Sequence, residues 1–231
     1  MPKRALGLCR ICLVGATGLV GTSLIEACVG RTNTRLVAVS RREMVLPAGA
    51  RMEVLLAPVK GWPEAIAASN ADVLVCALGT TMKNVGGDRD AFRAVDYDLV
   101  IASARAAREA GIGHMILVSS VGADSGSGNF YLRTKGEAEV QVRKLRFDRL
   151  DILRPSLLVG KRRESRPLER LAMLFAPPMN LLLHGKAHRY RAIRTSEIAQ
   201  TILALAHEKA RGSFVLEYDA MQYAAKRPGT R

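Results

Sequence analysis

Residues 10–21 read Arg-Ile-Cys-Leu-Val-Gly-Ala-Thr-Gly-Leu-Val-Gly, and this stretch decides the fold. The apolar run 10–14 predicts a short buried strand, the glycines that follow predict a tight turn, and residues 22–29 predict a helix that ends at Gly30. Glycine permits the turn and lets backbone N–H groups approach a pyrophosphate, which the positive end of the helix attracts. The stretch therefore favours a dinucleotide loop over a purely structural turn.

Strands and helices alternate along the rest of the chain. Further strands are predicted at 36–40, 54–57, 72–78, 115–119, 150–153 and 214–217, and further helices at 90–110, 131–145 and 197–207. This order predicts an α/β, doubly wound, mostly parallel sheet, the Rossmann fold, with ligands at the carboxyl ends of its strands. We expect one domain over residues 1–220, with 160–194 as a small C-terminal cap or lid on the substrate side and 221–231 as a flexible tail.

The second strand ends in Ser40-Arg41-Arg42, 19 residues after Gly21. An acidic residue at this place would bind a free ribose 2′-hydroxyl, whereas arginine pairs with a 2′-phosphate. The sequence therefore favours NADP(H) over NAD(H) as the cofactor, with solvated arginines as the alternative.

A tyrosine and a lysine stand four residues apart in Tyr131-Leu-Arg-Thr-Lys135. On a helix this spacing puts both on one face, where an ammonium lowers the pKa of a phenol and makes it a usable proton donor. Ser119 and Ser120 end the preceding strand, and Ser120 is favoured as the group that orients a carbonyl oxygen, because Ser119 could point back into the sheet. The alternatives are a half-buried tyrosine beside a solvated lysine, and a serine that only forms a turn.

The net charge of +14 is concentrated in residues 143–194, which hold 14 basic and 4 acidic side chains. Such a field attracts a phosphorylated cofactor, an anionic small-molecule substrate or an acidic protein partner, although a solvated basic face explains it equally well. Aromatic residues make up only 5% of the chain, which argues against binding of nucleic acid.

Four cysteines lie in apolar segments of a 231-residue chain, which indicates a reducing compartment and predicts a cytoplasmic protein. Cys9 and Cys12 are three apart on a predicted strand and would face opposite sides, so no metal site is expected. No apolar run reaches the ~20 residues of a membrane span, and we expect a soluble protein. The sequence predicts no particular oligomeric state.

On these motifs the chain resembles the short-chain dehydrogenase/reductases, in particular the atypical branch related to the Tat-interacting-protein-like oxidoreductases. The matching stretches are residues 15–21, 76–81, 117–124, 131–137, 147–149, 154–156 and 164–167. The resemblance implies a Rossmann fold that holds NADPH, with Ser120, Tyr131 and Lys135 as the catalytic set. One departure is Leu56-Ala57-Pro58, where the family commonly has an acidic residue near the adenine, so the adenine contacts stay open.

The resemblance also implies that the loop after the fourth strand runs beside the cofactor and that Pro155-Ser156 lies near the nicotinamide. The residues expected to contact the dinucleotide are Gly15, Ala16, Thr17, Gly18, Leu19, Val20, Gly21, Ser40, Arg41, Arg42, Leu78, Gly79, Thr80, Ser119, Tyr131, Lys135, Pro155 and Ser156. The leading hypothesis is an NADPH-dependent reductase of a small carbonyl compound, with an anionic one favoured if the basic segment forms a lid. The alternatives are an NADPH-binding regulatory protein with little turnover, and an epimerase or dehydratase of the nucleotide-sugar type.

Overall fold

Seven parallel strands form the central sheet of the computed structural model, which describes residues 7–160 and 185–227. The strands of the described residues are β1 (Cys9–Val14), β2 (Thr34–Ser40), β3 (Met52–Leu56), β4 (Val73–Cys76), β5 (His114–Val118), β6 (Arg149–Leu153), β7 (Leu158–Val159), β8 (Ile193–Arg194) and β9 (Gly212–Leu216). The sheet has the order β3-β2-β1-β4-β5-β6-β9, while β7 and β8 pair separately. The strand order reverses between β1 and β4, the place where ligands bind in such sheets.

Helices cover both faces of this sheet. They are α1 (Leu19–Cys28), α2 (Trp62–Ala68), α3 (Arg89–Arg93), α4 (Leu99–Glu109), α5 (Phe130–Lys144), α6 (Thr195–Ala206) and α7 (Tyr218–Ala225), with a π-helical turn, Ala94–Asp98, between α3 and α4. Helices α1, α6 and α7 contribute to the core on one face, and α2, α4 and α5 to the core on the other. The predicted doubly wound parallel sheet is confirmed.

The apolar runs in the sequence are continuous because the strands are covered on both sides. In β1, Ile11 and Leu13 lie in one core, whereas Cys12 and Val14 lie in the other. Full burial of a Leu or Ile side chain stabilises the fold by about 1.5–3 kcal/mol. The alternation within β1 thus fixes the strand between two helical layers.

Several predicted boundaries differ from the structure. Helix α1 begins at Leu19, three residues before its predicted start, because the glycine turn leads directly into the first helical turn. The tail predicted over 221–231 is wrong for its first part, since α7 continues to Ala225 and buries Met221 and Ala224. Most of the predicted cap, residues 161–184, lies outside the described residues, as do 228–231.

Candidate active site

The glycine loop forms a close-packed turn between β1 and α1. Gly15 has φ +87°, and a Cβ there would lie 2.4 Å from the carbonyl oxygen of Ala77 on the neighbouring chain segment. A Cβ on Gly21 would lie 2.3 Å from the carbonyl oxygen of Gly15. Both positions therefore require glycine, and the loop can keep its shape only with bare backbone at its two ends.

The N-terminus of α1 can receive an anion. Its N-cap is Gly18, no side chain caps it, and its first turn contains no acidic residue. The first backbone N–H groups of a helix lack intrahelical partners and carry the positive end of the helix dipole. Glycine backbone without side chains, together with the uncapped N–H groups at the start of α1, fits a dinucleotide pyrophosphate. Ala16, Thr17, Leu19 and Val20 are the other residues of this segment.

The predicted 2′-phosphate residues lie where β2 ends beside β1. Ser40 is buried, and its hydroxyl donates to the carbonyl oxygen of Arg42 at 2.8 Å, so Ser40 shapes the turn. Arg41 and Arg42 are both exposed. Within residues 7–160 and 185–227, neither guanidinium forms an ion pair.

The loop after β4 is fixed by a buried carboxylate that sequence reasoning missed. Leu78 is buried, and the N–H of Thr80 donates to Asp96 Oδ2 at 2.8 Å. Asp96 is fully buried in the π-helical turn between α3 and α4. Its signal in the sequence is its place four residues after the buried Phe92, on the apolar face of the predicted helix.

Lys135 is buried and makes an ion pair with Asp96, with 2.7 Å between Nζ and Oδ1. A Cβ on Gly79 would lie 3.5 Å from Oδ1 and 3.6 Å from Nζ, so the loop packs against the pair. Burial lowers the pKa of Lys135, but the negative charge of Asp96, followed by the nearby Tyr131, more than offsets it, and the net pKa is raised. The structure therefore keeps Lys135 charged.

Tyr131 lies one turn before Lys135 on α5, as predicted from the spacing. The side chain is half-buried, and its ring packs edge-on against Phe92 with 5.8 Å between the centroids. Phe92 thus holds the Tyr131 ring in place, and part of the Tyr131 side chain stays accessible to solvent.

The two serines after β5 have different surroundings. Ser119 is buried, and its hydroxyl donates to Glu139 Oε1 at 2.6 Å. Arg154 in turn holds both oxygens of Glu139, with donor–acceptor distances of 3.0 and 2.6 Å. Ser120 is half-buried, and among residues 7–160 and 185–227 its hydroxyl makes one long contact, 3.4 Å, to the carbonyl oxygen of Val121. The Ser119 hydroxyl is thus engaged within the core, and the role of Ser120 in orienting a carbonyl stays a prediction.

Pro155 and Ser156 follow β6, at the same carboxyl-terminal end of the parallel strands as Ser119 and Ser120. The carbonyl oxygen of Pro155 accepts from Val121 N–H at 2.9 Å and ties the ends of β5 and β6 together. The Ser156 hydroxyl donates to the carbonyl oxygen of Arg191. The structure thus brings this pair next to the serines but directs the Ser156 hydroxyl into a loop contact.

The cysteines have no catalytic surroundings. Cys9 and Cys12 face opposite cores, as their spacing predicts. Burial raises the pKa of Cys12 and of Cys76 to about 11, so both thiols stay protonated near neutral pH. Among the described residues, no three His, Cys, Asp or Glu side chains come together as a metal site.

Comparison with known proteins places these features in a family. The model of a family described as NAD(P)H-binding matches residues 15–209. This chain belongs to that family. It is 35% identical over 188 residues to the protein fmp52, mitochondrial, of Aspergillus niger, a match that covers 78% of each chain. It is 38% identical over 167 residues to the protein HTATIP2 of Rattus norvegicus, over 71% of this chain and 68% of that one. The predicted resemblance is confirmed.

Solved structures show the same fold at low identity. MoeE5 in complex with UDP-glucose and NAD superposes with a TM-score of 0.68 at 17% identity, over 90% of this chain and 75% of that one. A putative NAD-dependent epimerase/dehydratase from Bacillus halodurans gives a TM-score of 0.67 at 22% identity, over 94% and 99% of the two chains. The family makes this chain an NAD(P)H-binding protein, and the solved structures show that its fold is that of NAD-binding proteins.

The names of the relatives also correct one prediction. The similar proteins of Aspergillus niger, Debaryomyces hansenii and Candida albicans are named mitochondrial, which contradicts the predicted cytoplasmic location, and that prediction is wrong. Free cysteines indicate a reducing environment but do not identify an organelle. In the two described stretches, none of the helices combines the length and apolar character that a bilayer crossing requires.

Proposed function

We propose that this protein is an NADPH-dependent reductase of the short-chain dehydrogenase/reductase type, which reduces a carbonyl group of a small, anionic compound. One observation carries the proposal: Tyr131, a half-buried phenol, lies one helical turn from Lys135 on α5. Lys135 is buried, and its ion pair with Asp96 keeps it charged at the carboxyl-terminal end of the sheet, where the glycine loop also lies. A charged ammonium beside a phenol favours transfer of the phenolic proton.

Each residue of the site then has a separate task. NADPH held by the glycine loop would supply the hydride that the carbonyl carbon needs. Tyr131 gives its hydroxyl proton to the carbonyl oxygen, so that the carbonyl compound becomes an alcohol. Ser120 donates a hydrogen bond that orients the oxygen, and Lys135 stabilises the phenolate and holds the cofactor ribose. The glycine loop and the N-terminus of α1 bind the pyrophosphate.

The preference for NADPH rests on Arg41 and Arg42. Both residues are exposed and follow β2, the strand that pairs with β1 ahead of the glycine loop. In dinucleotide-binding sheets, arginine at the end of this strand commonly meets a ribose 2′-phosphate. A hydrogen bond to a charged group contributes about 1.5–3 kcal/mol, so replacing both arginines by alanine should weaken NADPH binding about tenfold or more. NADH affinity should change little.

Titration of NADPH and NADH into the wild-type protein and the double variant tests this preference. Arg211→Ala, which replaces an exposed arginine ahead of β9, is the matched control. If wild-type protein binds NADH at least as tightly as NADPH, the interpretation of Arg41 and Arg42 is wrong.

Turnover is tested with a panel of aldehydes and ketones, with and without carboxylate or phosphate groups, by following NADPH absorbance. Tyr131→Phe should abolish consumption of NADPH and leave its binding intact. Tyr223→Phe removes the hydroxyl of an exposed tyrosine on α7 and should leave turnover unchanged. Tight binding without turnover on any compound would instead favour the regulatory protein, and product formation without net loss of cofactor would favour an epimerase.

A further inference from the structure

Strand β9 is the last strand of the sheet, and among the described residues no strand pairs with its outer edge. On its inner side it pairs with β6, and the Gly212 N–H and the Leu216 carbonyl oxygen, at its two ends, both bond in that direction. Backbone groups alternate along a strand, so those of Ser213 and Val215 point outward. Each of these two residues offers one N–H donor and one carbonyl acceptor to an added strand.

This edge lacks the features that usually protect an outer strand. It reads Gly-Ser-Phe-Val-Leu, without a charged residue or a proline. Phe214 and Val215 are 38% and 42% exposed. Native sheets usually blunt an edge with charge, proline or a bulge, because its free backbone groups can pair with another chain. An open apolar edge therefore indicates a surface that binds an extended segment.

An open cavity lined by three arginines lies along the α5 side of β9. Its volume is about 540 Å³, and its lining includes Arg143 on α5, Arg154 after β6 and Arg189 ahead of β8. Arg143 donates to the Ser213 hydroxyl at 2.7 Å, and the Arg154 N–H donates to the Leu216 carbonyl oxygen at 2.9 Å. The arginines of the cavity thus contact β9 near both of its ends.

Two of these arginines have charges that a ligand can use. Arg154 is held by Glu139, at 2.6 Å, whereas Arg143 and Arg189 are exposed and each donates to a neutral hydroxyl group. In the part of the chain that the structure describes, neither of these two forms an ion pair. The lining holds three guanidinium groups against the carboxylates of Glu139 and Asp124, so it attracts an anion.

More positive charge surrounds the start of β9. Three further basic residues lie there, and all of them are exposed: Lys144, Arg146 and Lys209. The end of α5 and the segment ahead of β9 are held together, because the Arg149 guanidinium donates to the Ala210 carbonyl oxygen at 2.7 Å. The basic surface therefore continues from the cavity around the end of the strand.

We propose that β9 and the arginine-lined cavity form a docking surface for an extended acidic segment of a partner protein, which pairs with β9 as a further strand. Side chains alternate along a strand, so every second side chain of the segment would face the cavity. Acidic groups there would meet Arg143 and Arg189 in charge-assisted hydrogen bonds. A second copy of the chain fits this surface less well, since two paired β9 edges would bring two basic surfaces together.

The test uses a fluorescein-labelled peptide of four Glu-Val repeats, whose glutamates all lie on one face when it is extended. Fluorescence anisotropy with the full chain, at constant ionic strength, gives its Kd. A peptide of Lys-Val repeats and a Glu-Val peptide with a central proline, which cannot donate at that position, are the controls. We expect saturable binding of the Glu-Val peptide and at least tenfold weaker binding of both controls. Equal binding of either control would overturn the proposal.

Two variants separate the backbone edge from the charge. Val215→Pro removes an outward N–H and leaves the β6 side intact, a position where an edge strand tolerates proline. It should raise the Kd of the Glu-Val peptide about fivefold or more, and Arg143→Gln should raise it about tenfold or more. Arg105→Gln, which changes an exposed arginine on α4, is the matched control and should stay within about twofold of wild type. Full affinity in Val215→Pro, or an equal loss in Arg105→Gln, would refute docking at β9.

Hydrogen exchange on wild-type protein covers the case in which Val215→Pro does not fold. Saturating Glu-Val peptide should slow exchange of the Ser213 and Val215 amides, and unchanged exchange would contradict strand addition. Analytical ultracentrifugation tests the other occupant. A dimer of the wild-type chain that Glu-Val peptide dissociates would show that a second copy occupies β9, and the proposal of an acidic partner would be wrong.

Discussion

Gly136 lies in the middle of α5, directly after Lys135, and two opposite effects act on its replacement by alanine. Alanine is the better helix former by about 1 kcal/mol, so helix propensity alone predicts a more stable protein. A Cβ at this position, however, would lie 2.3 Å from both the carbonyl carbon of Asp124 and the backbone nitrogen of Ser125. The loop that follows β5 crosses the helix at this point.

The close contact should decide the outcome. Backbone atoms cannot rotate away as a flexible side chain does, so the loop would have to move by roughly 1 Å. Overpacking of this kind costs about 1–3 kcal/mol. Displacement would also strain the hydrogen bond from the Asp124 N–H to the Leu132 carbonyl oxygen, 3.2 Å in the structure, worth about 1 kcal/mol. With the gain in propensity subtracted, we expect Gly136→Ala to lower the free energy of unfolding by about 2 kcal/mol.

Urea unfolding followed by circular dichroism measures this difference, and the melting temperature should fall by about 4–8 °C. Gly128→Ala is the control, because a Cβ at Gly128 meets no atom within 4 Å. That variant should be as stable as wild-type protein or slightly more stable. A Gly136→Ala protein that equals or exceeds the wild type would show that propensity outweighs the contact, and the interpretation of the crossing would be refuted.

Three further outcomes concern titratable side chains. Glu139→Gln should cost about 3 kcal/mol in urea unfolding, because it leaves Arg154 beside a neutral amide; a loss under about 1 kcal/mol would contradict this. Cys12 and Cys76, each with a pKa of about 11, should react with a thiol reagent at pH 8 only after unfolding, and rapid labelling of the folded protein would show that they are accessible. His207 is an exposed residue whose ring is partly desolvated, and this desolvation, followed by the charge of Arg31, lowers its pKa. The folded state therefore binds fewer protons than the unfolded state, and its stability falls as pH drops below about 6.5. His207→Gln should flatten the dependence of the melting temperature on pH between about 7 and 5, and an unchanged slope would exclude His207 as its source.

The parts of the site that were predictable from the sequence are the local ones. The glycine turn, the apolar strands and the helical spacing of Tyr131 and Lys135 each depend on residues within a few positions of one another. Periods of 3.6 and 2 residues and the conformational freedom of glycine are sufficient to find them. The helix α7 was missed because Met221 and Ala224 provide only a single helical repeat before the charged end of the chain.

The partners of the site residues were not predictable, because they are distant in sequence. Lys135 is paired with Asp96, 39 positions away, and the pairing depends on a π-helical turn that no local period indicates. Ser119 and Ser120 are adjacent, yet only the structure shows that one hydroxyl is bound by Glu139. Hydrogen-bond partners of this kind are decided by packing between elements, which single-sequence patterns do not contain.

Tyr131, Lys135 and Glu139 lie four residues apart on one face of α5. They differ in the partners that their side chains bind. Lys135 is neutralised by Asp96, and Glu139 by Arg154, so both charged groups of the three have a partner of opposite charge. Changing the charge of either group is costly, because proton loss from Lys135 or proton uptake by Glu139 would leave its partner unpaired. The half-buried phenol is not bound in this way within the described residues. In the proposed function the substrate therefore takes its proton from Tyr131, while the two ion pairs stay fixed further along the same face of α5.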